Sequence, residues 1–311
     1  PAEQTPLSAL RLAELCAEAG VPDGVVNVVN GYGDPAGAAL SSHEGVDTIT
    51  FTGSVPTGQV IMEAAAGTVT PVTLELGGKN PAIVFPDADL DTAADWITTA
   101  IFTNAGQICS AADRVVVHDD VHDELVDRLV DIADSQEIGP GPDDYDMGPL
   151  ASAEQLEKVT RYIEVGTKEG ATLAAGGDAL DRPGYFVEPT VFVDVENDMR
   201  IAQEEIFGPV LSVIPFSEAS KALEIANDVD YGLVAGVFTK DVTRAMRFAR
   251  DLEAGNVYVN KWFGDTNQTP FGGYKKSGIG REKGLEALDS YLQTKNVAVN
   301  LQSGGGDLPG A

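Results

Sequence analysis

Helical and strand patterns alternate along most of this 311-residue chain. An apolar stripe at helical spacing predicts a first helix over residues 6–19. Short runs rich in β-branched residues predict strands at 25–29, 48–51, 82–85, 114–117, 186–193, 211–216, 234–238 and 257–259. This alternation is typical of βαβ units, so the chain is predicted to be an α/β protein.

The chain is also strongly acidic. It has 49 Asp and Glu residues against 20 Lys and Arg residues, which gives a formal net charge of -29. Hydrophobic residues make up 43% of it, too many for a disordered chain, so the carboxylates are predicted to lie on the surface of a real core. Such a surface is repelled by phosphate backbones and by anionic lipid, which argues against nucleic-acid and membrane partners.

The acidic residues are densest from Asp119 to Asp134, where apolar residues recur at helical spacing and carboxylates fill the other face. This pattern predicts a solvated surface helix. A high-salt cytoplasm, as in a halophile, would explain the surplus acid. The two cysteines, Cys16 and Cys109, form no disulfide framework, and no signal-peptide pattern or long apolar stretch is visible, which also favours a reducing cytoplasm.

The first motif, F-T-G-S-V-P-T-G over residues 51–58, takes a strand end into a helix through a glycine turn. Backbone N–H groups and the helix dipole face outward at such a point, so Gly53 would let a diphosphate approach and Ser54 would offer a hydroxyl. An ordinary strand-to-helix turn has the same pattern, and the lysine of a nucleotide-triphosphate loop is missing.

The second motif, E-L-G-G-K-N-P, begins with Glu75 at the end of an apolar strand. Burial at a strand end can raise the pKa of a carboxyl towards that of a useful base. The alternative is a glutamate that only caps the following loop.

The third motif places Cys109 after a glycine turn, outside any periodic apolar stripe, which makes it a candidate nucleophile. Cys16 lies on the apolar stripe of the first helix and is predicted to be an inert core residue. The three histidines have no catalytic spacing to Cys109, which argues against a Cys-His hydrolase and against a histidine-based metal site.

Two further loops each carry an aromatic residue: E-E-I-F-G-P-V at 204–210 and P-F-G-G-Y-K-K-S-G at 270–278. The chain resembles the aldehyde dehydrogenase superfamily over residues 3–301, because five motifs occur in the same order: F-T-G-S, E-L-G-G-K, G-Q-x-C, E-E-I-F-G-P-V and P-F-G-G-x-K-x-S-G. The resemblance implies that Cys109 is the nucleophile and Glu75 the general base. The residues it implies at the cofactor are Glu3, Gly33, Gly53, Ser54, Glu205 and Phe207.

The implied reaction is NAD-dependent oxidation of an aldehyde to a carboxylic acid through a cysteine thiohemiacetal and thioester. By the resemblance, Glu3 falls where a carboxylate binds the adenosine ribose, and it would repel a 2′-phosphate, so NAD is favoured over NADP. The chain opens with Pro1 and lacks a leading strand, which suggests a truncated chain without the family's ribose lysine and oxyanion asparagine. An inactive fragment, or a thiol esterase that does not turn over NAD, are the alternatives.

The resemblance also implies an architecture. A partial Rossmann-type cofactor domain is expected over residues 1–76 and an α/β catalytic domain over 77–275. The segment 276–302 is expected to hold a return helix at 280–291 and a strand at 293–301. This strand would join a partner's sheet in a homodimer or homotetramer. A disordered tail is expected at 303–311. The substrate-pocket candidates are Phe102, Ile108, Ser110, Asp265 and Phe271, and the loop at 261–266 looks like that of members acting on polar, amine-derived aldehydes.

Overall fold

Helices and strands alternate through residues 1–264 and 266–300, which are the residues that the structure, a computed structural model, describes. The helices are α1 (Leu7–Glu18), α2 (Ala38–Ser41), α3 (Val55–Ala66), α4 (Leu90–Phe102), α5 (His122–Ser135), α6 (Ala153–Glu169), α7 (Arg200–Gln203), α8 (Ala219–Asn227), α9 (Val242–Asp251) and α10 (Glu286–Asp289). The strands are β1 (Ile49–Thr52), β2 (Val72–Glu75), β3 (Pro81–Val84), β4 (Arg114–His118), β5 (Thr172–Ala175), β6 (Thr190–Val193), β7 (Val210–Phe216), β8 (Tyr231–Gly232), β9 (Val234–Phe238), β10 (Asn256–Val259), β11 (Tyr274–Lys275) and β12 (Gly278–Ile279).

A seven-stranded sheet forms the centre of the molecule, in the order β10-β9-β3-β4-β7-β6-β5. All of its neighbouring strands are parallel except β5, which runs antiparallel to β6. In the middle, Ile83 pairs with Val116 on one side and Val237 on the other, and all three are fully buried. Because helices cover both faces of such a sheet, its central strands are near-continuous apolar runs, as the sequence predicts.

The acidic helix predicted around residues 119–134 is α5, and it packs against α4. Leu125, Leu129 and Ala133 are buried on its inner side, while its acidic residues are exposed. The helix is therefore amphipathic, and the interpretation of this acidic stretch as a solvated face is confirmed.

A second sheet of three strands has the order β1-β2-β12. Strands β1 and β2 are parallel, and β12 runs antiparallel to β2 with Gly278 opposite Glu75. The loop before β12 is fastened to the same place, because Ser277 accepts the Leu76 N–H through its carbonyl at 2.9 Å and donates from its hydroxyl to the Gly77 carbonyl at 2.7 Å. A segment near the end of the chain therefore closes over the turn that follows Glu75.

Three predicted elements differ from the structure. No strand forms at 25–29, where Val25, Val26 and Val29 are exposed and have no strand beside them among the described residues. The helix predicted at 280–291 is reduced to α10, because Lys283 and Gly284 both have positive φ and interrupt it. Residues 293–300 pair with no strand in the described chain. Strand conformation requires a hydrogen-bonded neighbour, so a β-branched pattern alone does not establish it.

Asp265 and residues 301–311, which include the predicted tail, lie outside the described residues. Within the described ranges, no helix combines the length and hydropathy needed to cross a bilayer. The domain boundaries at residues 76, 275 and 302 stay predictions.

Candidate active site

The motifs converge on one cavity of about 540 Å³. It lies where the ends of β1 and β2 meet the loop carrying Cys109, helix α6 and the loop after α7. Its lining residues are Thr52, Gly53, Ser54, Leu76, Gly77, Gln107, Ile108, Cys109, Gln155, Lys158, Glu205 and Phe207. Three of the motifs that are distant in sequence, together with the cysteine loop, thus line one cavity.

The paired glycines after Glu75 make this convergence possible. A Cβ atom at Gly77 would lie 2.4 Å from Oε2 of Glu205, and one at Gly78 would lie 2.5 Å from the carbonyl oxygen of Cys109. The Gly78 N–H donates to Oε1 of Glu205 at 3.1 Å. Only glycine permits both approaches, because any larger residue would push the carboxylate or the cysteine loop away.

Cys109 is half-buried at the inner wall of the cavity. Burial raises the pKa of its thiol to about 11, and the negative charges of Glu205 and Glu75 add to the rise. The backbone N–H groups of Cys109 and Ser110 hydrogen-bond to the sulfur and act in the opposite direction. The thiol is therefore protonated at neutral pH in this state, and it gains nucleophilicity when either carboxylate is neutralised or paired with a cation.

Glu75 ends β2 and is only 3% exposed. Neither of its carboxylate oxygens has a hydrogen-bond partner among the described residues. Burial and then the charge of Glu282 raise its pKa from 4.5 to about 8, partly offset by Arg281 and Lys283. The rise in pKa expected from its position in the sequence is present, so the carboxyl is largely protonated at pH 7 and can act as a base slightly above it.

The Glu75 carboxyl lies beside the returning loop. A Cβ atom at Gly272, where φ is +156°, would lie 2.7 Å from Oε1 of Glu75. Glu75 itself does not line the cavity, whereas its successors Leu76 and Gly77 do. It is near enough to Cys109 to affect the pKa of the thiol.

The two adjacent glutamates of the E-E-I-F-G-P-V motif have different surroundings. Glu204 is bound by Arg200 through both carboxylate oxygens and accepts the Tyr162 hydroxyl, which lowers its pKa. Glu205 accepts the Gly78 N–H, and burial raises its pKa. The Glu205 carboxylate faces the cavity beside Lys158 and thus retains capacity to bind a ligand hydroxyl.

The F-T-G-S turn also lines the cavity, at the N-terminus of α3. Ser54 caps this helix: its hydroxyl accepts the Thr57 N–H at 3.4 Å and lies 2.9 Å from the Thr57 hydroxyl. The Gly53 N–H donates to the Glu75 carbonyl at 3.0 Å, which ties the turn to β2. A helix N-terminus is positively polarised, so this wall suits a negatively charged ligand.

Other predicted residues lie outside this cavity. Glu3 and Gly33 are exposed and do not line it. Phe102 and Ser110 are buried, at 3% and 8% exposure. Phe271 packs against the core, and its backbone forms an isolated β-bridge with Glu282. Of the substrate-pocket candidates only Ile108 lines the cavity, and Asp265 is not among the described residues.

Two further residues, Gln155 and Lys158, reach the cavity from α6 and belong to none of the sequence motifs. They are three residues apart and so share one helix face, but the helix looks like any amphipathic surface helix. Lys158 is half-buried, and burial lowers the pKa of its amino group while the charge of Glu205 raises it. No local pattern distinguishes this lysine from an ordinary surface lysine.

A buried charge cluster joins the turn after Glu75 to the residues that follow the cysteine loop. Lys79 Nζ lies 3.1 Å from Oδ2 of Asp113, and the lysine side chain is fully buried. The Arg114 Nε–H donates to the Lys79 carbonyl at 3.1 Å, and its other nitrogens bind the carbonyls of Ile225 and Ala226. These charges are paired with protein groups and hold the two loops at a fixed separation.

Comparison with known proteins identifies one family. The model of the aldehyde dehydrogenase family matches residues 1–297. An aldehyde dehydrogenase of Emericella nidulans is 49% identical over 302 residues, covering 96% of this chain and 61% of the relative. An NAD⁺ complex of an aldehyde dehydrogenase from Bacillus cereus has a TM-score of 0.96 at 50% identity, covering 97% of this chain and 62% of the other.

A betaine aldehyde dehydrogenase from Staphylococcus aureus in complex with NAD⁺ gives a TM-score of 0.92 at 44% identity, covering 95% of this chain and 59% of the other. The chain thus spans about three fifths of the length of the relatives it matches. The predicted α/β aldehyde dehydrogenase fold is confirmed by these matches. The chain belongs to the aldehyde dehydrogenase family.

Proposed function

We propose that this protein oxidises an aldehyde to the carboxylic acid with NAD, using Cys109 as nucleophile and Glu75 as general base. The observation that carries the proposal is the placement of Cys109, Glu205 and the turn at Gly53 and Ser54 on one cavity, with Glu75 next in sequence to the lining residue Leu76 and close enough to affect the pKa of the Cys109 thiol. A thiol, a buried base and an anion-binding helix end within one site suit acyl chemistry coupled to a dinucleotide.

The cavity fits the nicotinamide half of NAD. The missing Cβ at Gly77 leaves room for the Glu205 carboxylate, which is in position to accept ribose hydroxyls, and the N-terminus of α3 is in position to hold the diphosphate. Phe207 supplies an apolar face. When bound, NAD accepts the hydride that leaves the substrate carbon. We further propose that the Glu3 carboxylate disfavours NADP, since it would repel a 2′-phosphate.

The first chemical step belongs to Cys109. The thiol first loses its proton to solvent, and the thiolate then attacks the aldehyde carbon; a carbon–sulfur bond forms, the carbonyl π bond breaks, and the oxygen of the resulting thiohemiacetal carries the negative charge. The backbone N–H groups of Cys109 and Ser110, which hydrogen-bond to the sulfur before attack, stabilise the thiolate. When the carbon gives up its hydride, the carbonyl reforms and leaves a thioester on Cys109.

The second step belongs to Glu75. With a pKa of about 8 and no hydrogen-bond partner among the described residues, its carboxylate can take a proton from a water molecule. The resulting hydroxide adds to the thioester carbon, the carbon–sulfur bond breaks, and the acid leaves with Cys109 restored as thiolate. Burial of the carboxyl places its pKa where both protonation states are populated near neutral pH.

The test is NADH formation from an aldehyde, followed by absorbance, in four proteins. The unchanged chain should form NADH, and Cys109→Ala should form none. Cys16→Ala, a control for thiol loss on α1, should match the unchanged chain. Glu75→Gln should give a burst of NADH and then stall as a thioester detectable by mass spectrometry. NADH turnover in Cys109→Ala would refute the assignment, and ester hydrolysis without NADH formation would favour a thiol esterase.

We propose a polar, amine-derived aldehyde as substrate. The loop at 261–266 carries the half-buried aromatic residue Phe263 beside Asp265 in the sequence, and one similar protein is a betaine aldehyde dehydrogenase. Aromatic faces and a carboxylate suit a cationic amine. The ratio of kcat/KM for aminoaldehydes to kcat/KM for alkanals of equal length tests this, and a preference for alkanals would exclude it.

We also propose a homodimer or homotetramer in a high-salt, reducing cytoplasm. Leu285, Tyr291, Val297 and Val299 are each more than half exposed near the returning segment, an apolar surface suited to a second copy. The net charge of -29 suits molar salt. Light scattering measures the mass, and a monomer at micromolar concentration would oppose assembly. A melting temperature that does not rise between low salt and molar KCl would oppose salt adaptation.

A further inference from the structure

Three consecutive backbone carbonyls in the cysteine loop are held by two buried side chains. The Asn80 side-chain amide donates to the Cys109 carbonyl at 2.9 Å and to the Ala111 carbonyl at 2.8 Å. The indole N–H of Trp262 donates to the carbonyl between them, that of Ser110, at 2.8 Å. Asn80 is 2% exposed and Trp262 is fully buried, so water does not compete for these bonds.

Both side chains are anchored to the central sheet. Asn80 immediately precedes β3, its amide oxygen accepts the Val234 N–H of β9 at 3.0 Å, and its own N–H donates to Asp113 at 2.7 Å. Trp262 lies shortly after β10. The cysteine loop is thereby fastened to three strands of the large sheet through side chains that reach it from two separate segments.

This clamp has a directional consequence. A peptide group has its C=O and N–H on opposite sides, so drawing the Cys109 carbonyl towards Asn80 turns the next N–H, that of Ser110, the other way. Hydrogen bonding from the backbone N–H groups of Cys109 and Ser110 lowers the pKa of the Cys109 thiol, against the larger effect of burial. A side chain at residue 78 would intrude on this arrangement, because its Cβ would lie 2.5 Å from the Cys109 carbonyl.

We propose that Asn80 and Trp262 are positioning residues, which act on Cys109 by holding the carbonyls of residues 109–111 so that the Ser110 N–H is turned to the Cys109 sulfur. The inference deepens the proposed function, since it rests on Cys109 being the nucleophile. Neither residue touches the reacting atoms. Their effect is on the fraction of Cys109 present as thiolate, because hydrogen bonds donated to the sulfur favour the charged form.

Alkylation of Cys109 by iodoacetamide tests the proposal without NAD or aldehyde. The rate constant is measured at several pH values between 7 and 9 from the modified Cys109 peptide by mass spectrometry, which separates it from Cys16. Trp262→Phe deletes one donor and keeps an aromatic ring, and Asn80→Ser deletes both amide donors. In each variant the rate should be lower at every pH, by about tenfold for Asn80→Ser, with the same slope against pH.

The matched control is Asn227→Ser. The Asn227 side chain also bridges two backbone groups, the carbonyl of Asp251 and the N–H of Glu253, but far from the cysteine loop. Its alkylation rate should equal that of the unchanged protein. Higher or unchanged rates in Trp262→Phe and Asn80→Ser would overturn the proposal, because a loop that was merely loosened would expose the thiol.

If Asn80→Ser does not fold, Trp262→Phe decides alone: a slower rate supports the proposal and an equal or faster rate overturns it. NADH formation is measured in parallel on the unchanged protein. A slower alkylation in the variants without NADH formation in the unchanged protein would retain the positioning role and refute the proposed function. NADH formation with unaltered alkylation would do the reverse.

Discussion

Burial of the Glu75 carboxyl predicts a measurable pH dependence of the free energy of unfolding. Its pKa is raised from 4.5 to about 8, so between these values the folded protein holds a proton that the unfolded chain has lost. Folding stability therefore falls as pH rises from about 4.5 to 8 and is level above that. Each pH unit of difference in pKa corresponds to about 1.4 kcal/mol, so the loss between pH 5 and pH 9 is about 4 kcal/mol.

The perturbation is Glu75→Gln, which keeps the shape of the side chain and removes its ionisation. Urea unfolding of both proteins at pH 5 and pH 9 gives the change in the free energy of unfolding over this interval. The loss should be smaller by about 4 kcal/mol in Glu75→Gln, a large share of the 5–15 kcal/mol typical of a folded domain. The contributions of titrating groups that do not interact with Glu75 cancel in the comparison.

Glu63→Gln is the control, because it makes the same replacement at a glutamate that lies exposed on α3. It should show the pH dependence of the unchanged protein. If Glu75→Gln lost as much stability as the unchanged protein between pH 5 and pH 9, the reasoning about burial of this carboxyl would be refuted. In turnover, the hydrolytic step should speed up with a midpoint near pH 8, as the base form of Glu75 appears.

Two further substitutions test the contacts around the turn. Gly77→Ala should displace the Glu205 carboxylate, because its Cβ would lie 2.4 Å from Oε2, and should weaken NAD binding by about tenfold in a fluorescence titration. The control Gly148→Ala, which has no atom within 4 Å of its Cβ, should leave NAD affinity unchanged. Equal NAD affinity in the two variants would contradict the contact. Lys79→Met should lower the free energy of unfolding in urea by about 3–5 kcal/mol, because it leaves the Asp113 carboxylate buried without its cation. Adding Asp113→Asn should restore part of this stability. An unchanged free energy of unfolding in Lys79→Met would exclude the ion pair as a structural element.

Much of the fold could be predicted from local patterns. The apolar stripe of α1, the β-branched runs of β4, β7 and β9, and the acidic face of α5 each carry a period that one kind of element satisfies. The valines at 25–29 have the same β-branched composition and form no strand, because a strand also needs a neighbour that no local pattern specifies.

The candidate site was predictable only in part. The position of Cys109 after a glycine turn and of Glu75 at a strand end marked both as candidates. Their meeting with Glu205 was implied by the resemblance rather than by spacing, since Gly78 and Glu205 are 127 residues apart in the chain. Lys158 and the Asn80 amide gave no signal, because the function inferred for each depends on a contact that exists only in the folded chain.

The closure of the turn after Glu75 by Ser277 also orders events during protein synthesis. The hydroxyl of Ser277 reaches the Gly77 carbonyl across 200 residues of sequence. At typical ribosomal speeds of about 5–20 residues per second, Ser277 is synthesised about 10–40 s after Gly77. Through that interval the nascent chain carries the Cys109 thiol and the turn without the segment around Ser277 that closes over the turn. The large sheet can begin to assemble meanwhile, and the candidate site is among the last parts of the molecule to be completed.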